Sequence, residues 1–242
     1  MNTDDAAKRE KTLRRIAAAL AIADDERAPI GERENAAARA AELMTRHGIQ
    51  EAQARAARGE APEGLTIKPF AVFGQDGNGQ ARGLLVAHLA TAMGCRAIHK
   101  EAPPPRPYTM ILAGARSDID SLCRLLPLIL TQAQYAAINT TEPEQRRKRG
   151  FLPSFLLGYG LTVAERITTR RKPLVNDPGA ALILTDRADR LTALITERFG
   201  ELGAIDAMQA TTAGRSAGRN AGRHADIGDP RMTNGNRHAI GG

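Results

Sequence analysis

The chain of 242 residues is poor in aromatic side chains, with no tryptophan, five phenylalanines and three tyrosines. That scarcity argues against a single-strand-binding platform, which needs several exposed rings on which bases stack. Cysteine is almost missing as well: Cys95 and Cys123 are the only two, each among apolar neighbours. Two thiols cannot staple a disulfide scaffold, so they read as buried free cysteines of a reducing compartment. The longest apolar run, around residues 151–164, is too short to span a bilayer. The N-terminal segment carries Asp4, Asp5 and five basic residues where a signal peptide would have its apolar core. A cytoplasmic protein is expected. Lysine is scarce too, and all but six of the 34 basic residues are arginine. The planar guanidinium fork suits phosphate and carboxylate partners, although GC-rich coding also raises arginine content.

What the chain does hold is a globular share of hydrophobic residues, 42%, and a formal net charge of +7. The charge is concentrated. Residues 1–63, 64–145, 173–200 and 201–242 each come within one unit of neutrality. Residues 146–172 hold Arg146, Arg147, Lys148, Arg149, Arg166, Arg170, Arg171 and Lys172 against Glu165 alone, which equals the whole excess. Clustering of this kind is the footprint of a surface that meets a polyanion, with a solvated face as the bland alternative.

Apolar spacing places Leu13, Ile16, Ala17, Leu20 and Ala21 on one face of a helix over residues 6–22. A second helix over 34–47 presents Ala37, Ala40, Leu43 and Met44, with Gly48 in the stop position, and a short third helix follows over 50–58. "GEAPEG", residues 59–64, reads as a linker. "LTIKPFAVF" alternates as a strand that Pro69 confines to a sheet edge. A helix over 80–93 points Leu85, Leu89 and Met93 inward and stops at Gly94, and "CRAIHK" and "YTMILAG" read as two strands. Ser117 is placed as the cap of a helix running to about residue 138, with a kink expected at Pro127. A basic loop then leads to a helix over 152–170, a strand "AALILT", a helix over 186–198 and a last helix over the repeat "AGRSAGRNAGRH". The expected class is α+β: a helical hairpin module at 1–58, the linker at 59–64, an α/β domain with a small antiparallel sheet at 65–225, and a loose tail at 226–242.

No chemistry-bearing motif is complete. "FGQDGNGQAR" lies between strand and helix but lacks the lysine and hydroxyl of a phosphate-binding loop. Cys95 and His99 have a metal-like spacing without a second pair, so no metal and no cofactor is expected. His224, Asp226 and Asp229 follow the repeat, yet no nucleophile triad, paired carboxylates or H-E-x-x-H is present, and the reading is non-enzymatic. On a helix, Gly214, Gly218 and Gly222 form one stripe, and Arg215, Arg219 and Arg223 form the next. Each glycine costs about 1 kcal/mol against alanine, so three in register point to close approach of another backbone. A frayed tail is the competing reading.

"LRRIAAALAIA" and "NAAARAAELMTRHGI" resemble an uncharacterised bacterial and phage family, domain of unknown function 2786. "MILAGARSDIDSLCRLL", "FLLGYGLTVAERI" and "AGRNAGRHADIG" are similar to the region that usually follows it. The resemblance implies a helical hairpin before an α/β segment and a phage or mobile-element setting, and it assigns no activity. Together with the charge it gives the expected function: a non-enzymatic protein contacting DNA or RNA phosphates through residues 146–172, weakly sequence-specific, with Arg215, Arg219 and Arg223 as a secondary stripe. The alternative is a protein-interaction or assembly module without nucleic-acid binding, its alanine-rich helices serving as contact faces for a protein partner or for self-association. A peripheral membrane contact through the apolar helix is disfavoured by its two glycines and by the lack of tryptophan.

If 59–64 is a linker, limited proteolysis of the native chain cuts there first; protection of that segment would remove the two-part reading.

Overall fold

A computed structural model describes residues 3–24, 30–72, 78–100, 108–139, 142–175, 178–203 and 210–225. Eight helices and three strands are described: α1 (Thr3–Asp24), α2 (Ile30–Ala57), β1 (Leu65–Val72), α3 (Gly79–Ala92), β2 (Arg96–Lys100), β3 (Tyr108–Ala115), α4 (Arg116–Asn139), α5 (Pro143–Arg147), α6 (Phe151–Val175), α7 (Pro178–Phe199) and α8 (Thr212–His224). The class is α+β, as expected. The tail at 226–242, the first half of "FGQDGNGQAR" and the proline-rich loop lie outside the described residues.

The sheet has the order β1-β3-β2 and both pairings are antiparallel. Pro69 sits on β1, an edge strand, where its missing N–H costs no ladder bond. β3 is the central strand and is covered on both faces. Met110 and Leu112 face the main core with Leu85 and Leu89 of α3, Leu122 and Leu126 of α4, and Phe155 of α6. Ala113 faces the other way, where Leu191 and Ile195 of α7 close a smaller cluster over Leu65, Ile67 and Ile98. Gly94, at φ +77°, ends the α3 turn as the sequence indicates.

Four expectations are corrected. Gly48 does not stop a helix; α2 runs through it without a break to Ala57, so there is no separate helix at 50–58. The glycine is needed for proximity, since a Cβ there would lie 3.0 Å from the Ser117 hydroxyl of α4. "AALILT" is not a strand but the first turns of α7, whose buried positions Ala180, Arg187, Leu191 and Ile195 keep a helical spacing. Ser117 does not cap α4 from outside: it lies within the helix, and the Glu63 carboxylate accepts both its N–H (2.8 Å) and its hydroxyl (2.9 Å). In α1, among the described side chains, Ile16 and Ala19 are buried while Ala17 and Ala21 are exposed; the side chains of Leu13 and Leu20 lie outside the described residues.

Glu63 belongs to a buried polar junction. Arg187 of α7 donates to Glu63 (2.8 Å), to Asp118 (3.2 Å) and to the Gly48 carbonyl (3.3 Å). Arg190 donates to the Glu63 carbonyl at 2.6 Å. Burial pushes the Asp118 carboxyl up from its ordinary range, while Arg187 and Arg171 pull against it. One guanidinium therefore ties α2, the segment before β1, and α4 to α7. Gly59, Glu60, Ala61 and Pro62 remain exposed.

The α6–α8 contact is closer than side chains allow. A Cβ on Gly214 would lie 2.5 Å from the Phe151 carbonyl oxygen, and one on Gly222 2.9 Å from that of Tyr159. At Gly218 a Cβ would overlap the Phe155 carbonyl, and at Gly158 of α6 it would overlap that of Arg215. A step of four residues on one helix matches a step of four on the other in the same direction, so the helices run parallel. Main chain meets main chain, the geometry in which Cα–H groups contact carbonyls across helices. The glycine repeat packs on the protein's own core and is not a frayed tail.

Replacing Gly218 by alanine is expected to cost about 1–2 kcal/mol net, because overpacking at the upper end of its range, about 2–3 kcal/mol, outweighs the roughly 1 kcal/mol gain in helix propensity. Gly64→Ala, where nothing lies within 4 Å, serves as the control. Equal melting temperatures for the two variants would contradict the packing.

Candidate nucleic-acid interface

The eight cations of residues 146–172 do not share one role. Arg146 and Arg147 form the last turn of α5, where the helix dipole favours cations, so the expected basic loop is partly helix. Arg146 donates to the Ile138 carbonyl near the end of α4. Arg166 donates to the carbonyls of Gly222 (2.9 Å) and Ala225, capping α8. Arg171, largely buried, donates to the Ala92 carbonyl at 3.0 Å, at the last residue of α3. Burial lowers its proton affinity, with Asp118 opposing. Each of these three arginines satisfies carbonyls that a helix end leaves open. The side chain of Arg170 lies outside the described residues.

Arg147, Lys148, Arg149 and Lys172 are exposed. Among the described residues, Arg147, Lys148 and Arg149 have no ion-pair partner. The chain that follows them meets the start of α8: a Cβ on Gly150 would touch the Thr211 methyl at 3.5 Å, and Thr211 donates from its N–H to the Ser154 hydroxyl at 2.7 Å. Thr211 in turn caps α8, accepting from Gly214 N–H.

With its glycine face against α6, α8 turns Arg215, Arg219 and Arg223 outward, all exposed. They line a hollow of about 550 Å³ together with Thr212, Ser216 and Asn220. A second hollow of about 350 Å³ adjoins it between α4 and α8. Sequence reasoning missed that one, although its signal was present: Tyr135 lies off the inward face of α4 marked by Ile129, Ala133 and Ala137. Sequence reasoning also missed the Arg187 junction.

A third hollow, of about 320 Å³, lies where α1 and α2 meet α4, with His47, Glu51, Glu63 and Asp120 on its wall. His47 and Glu51 are 3.8 Å apart. Among the described residues no group of three or more His, Cys, Asp or Glu is arranged to hold a metal ion. Cys95 is buried, and burial raises its thiol far above the ordinary value. His99 stacks on Tyr108 with ring centroids 4.0 Å apart. Among the described residues no helix is long and apolar enough to cross a membrane.

The fold and surface define an α+β protein with its exposed cations gathered around the start of α6 and the outer face of α8. Residues 11–51, covering most of α1 and the larger part of α2, match the family model described as Protein of unknown function (DUF2786). No curated protein and no solved structure matches the chain.

Replacing Arg166 or Arg171 by alanine is expected to lower stability by about 1–3 kcal/mol each, the range for hydrogen bonds from a charged donor. Arg147→Ala leaves it unchanged. Thermal melting of the three variants checks this, and a loss at Arg147 equal to the others would erase the distinction.

Proposed function

We propose that the protein is a non-enzymatic nucleic-acid-binding protein that holds phosphates through the basic segment of residues 146–172 and the arginines of α8. The observation that carries the reading is that Gly150, immediately after the exposed Arg147, Lys148 and Arg149, packs on Thr211 at the N-terminal end of α8, whose outer face carries Arg215 and Arg219. Among the described residues Arg147, Lys148 and Arg149 have no acidic partner, and like charges on neighbouring elements repel one another. An external polyanion offsets that repulsion and releases its own counterions. The segment's phosphate-binding members are the exposed ones, since Arg146, Arg166 and Arg171 are occupied in capping helices. Contacts to phosphates position a nucleic acid without reading its bases, so binding is weakly sequence-specific. A phage or mobile-element setting accords with this reading.

The test is salt-dependent binding of the full chain to DNA and RNA of unrelated sequences. Changing Arg147, Lys148 and Arg149 together to alanine lowers affinity similarly for all of them. It flattens the log–log salt slope by about 0.7–0.9 for each phosphate that the variant no longer neutralises. Retained affinity with an unchanged slope refutes the assignment. No binding by the wild type at low salt leaves the assembly-module reading in its place.

A further inference from the structure

Tyr135 has no part in the phosphate contacts proposed above, yet its ring is 61% exposed, beside Ile138 at 51%. It lines the hollow between α4 and α8 with Asn139, Asn220 and His224. That hollow and the arginine-lined one share Ala217 and Asn220, so together they form one groove crossing α8. The groove lies near the first residue of the basic segment, since Arg146 donates to the Ile138 carbonyl, one turn along α4 from Tyr135.

The contents of the groove suit an unpaired nucleotide. A flat ring faces solvent, the amide of Asn220 offers donors and an acceptor, and that of Asn139 keeps one donor and its acceptor. Asn139 is fixed near the ring by donating to the Tyr135 carbonyl at 2.8 Å. Arg215 and Arg219 lie across α8, within a helix diameter of about 10 Å, and step along it by about 6 Å per four residues. That step is close to the separation of neighbouring phosphates on a strand. Resting on the nucleic-acid reading above, we propose that this groove binds a single-stranded segment, with one base stacked on Tyr135 and the adjoining phosphates on Arg219 and Arg215. Inside a duplex the faces of the bases are occupied by one another, so the ring engages only an unpaired base. One exposed tyrosine here supplies the stacking for which the composition offers no row of rings.

The test uses the full chain and a fluorescein-labelled mixed-sequence strand of about 20 nucleotides, alone and as its duplex, read by anisotropy at low salt. The wild type binds the single strand more tightly than the duplex. Tyr135→Ala weakens single-strand binding by about tenfold or more and leaves duplex binding as it was, whereas Tyr135→Phe keeps both. Tyrosine emission gives an independent readout, since the chain has three tyrosines and no tryptophan. Unlabelled single strand quenches wild-type emission, and the quenching is lost in Tyr135→Phe while affinity stays. Equal melting temperatures show that the exposed position leaves the fold intact. Wild-type-like binding by Tyr135→Ala, or equal losses for strand and duplex, overturns the proposal while the phosphate reading stands on its own salt slope. Absence of all binding by the wild type removes both.

Discussion

The contact between the backbones of α6 and α8 is the constraint on which the exposed chemistry depends. α8 is a 13-residue helix with three glycines in it, below the length at which even good helix formers hold together alone in water. It is a helix because α6 holds it. The missing Cβ atoms of Gly214, Gly218, Gly222 and Gly158 let the two main chains meet. With one face seated in this way, the rotation of α8 about its own axis is fixed, and the direction of Arg215, Arg219 and Arg223 is fixed with it. Residues that lower helix propensity are therefore what make the arginine ladder rigid.

A second constraint operates where α2, α4 and α7 meet. Arg187 gathers Glu63, Asp118 and the Gly48 carbonyl, so one side chain is answered by three separate parts of the chain. Such a buried cluster gives little net stability over an apolar one of equal volume, but breaking any single arm leaves a charge without its partner. Its contribution is to fix where α2 crosses α4 and α7. The segment matching the family model is therefore anchored, at its C-terminal end, to the same helix that covers the sheet's smaller face.

The sequence was most legible where a local pattern and the tertiary requirement coincide. Alternation marks β1, and Pro69 marks it as an edge. Gly94 stops α3, and the four-residue glycine period announces a backbone contact. Legibility failed where one local signal serves two causes. Gly48 after Arg46 and His47 has the composition of a helix stop, yet the same glycine admits Ser117 from a residue far along the chain. "AALILT" has the composition of a strand, and only the continuity of buried positions through Arg187 and Leu191 makes it helical. Counting charge over 146–172 found the segment but could not tell a cation facing solvent from one capping carbonyls, as Arg166 and Arg171 do. Tyr135 went unnoticed because a single exposed ring leaves no trace in composition.

The α6–α8 seam is nearly periodic, and that has a consequence for how the two helices find their alignment. Sliding α8 by one repeat moves it about 6 Å and returns glycine to glycine and arginine to arginine over most of the seam. The middle of the interface is thus a ruler with identical marks. Its zero is set elsewhere: by Thr211 against Ser154 at one end, by Arg166 on Gly222 and Ala225 at the other, and by Gly158, which admits the Arg215 carbonyl. A handful of end contacts selects one alignment from a ladder of near-equivalent ones, and every phosphate-sized step on the outer face is measured from that choice.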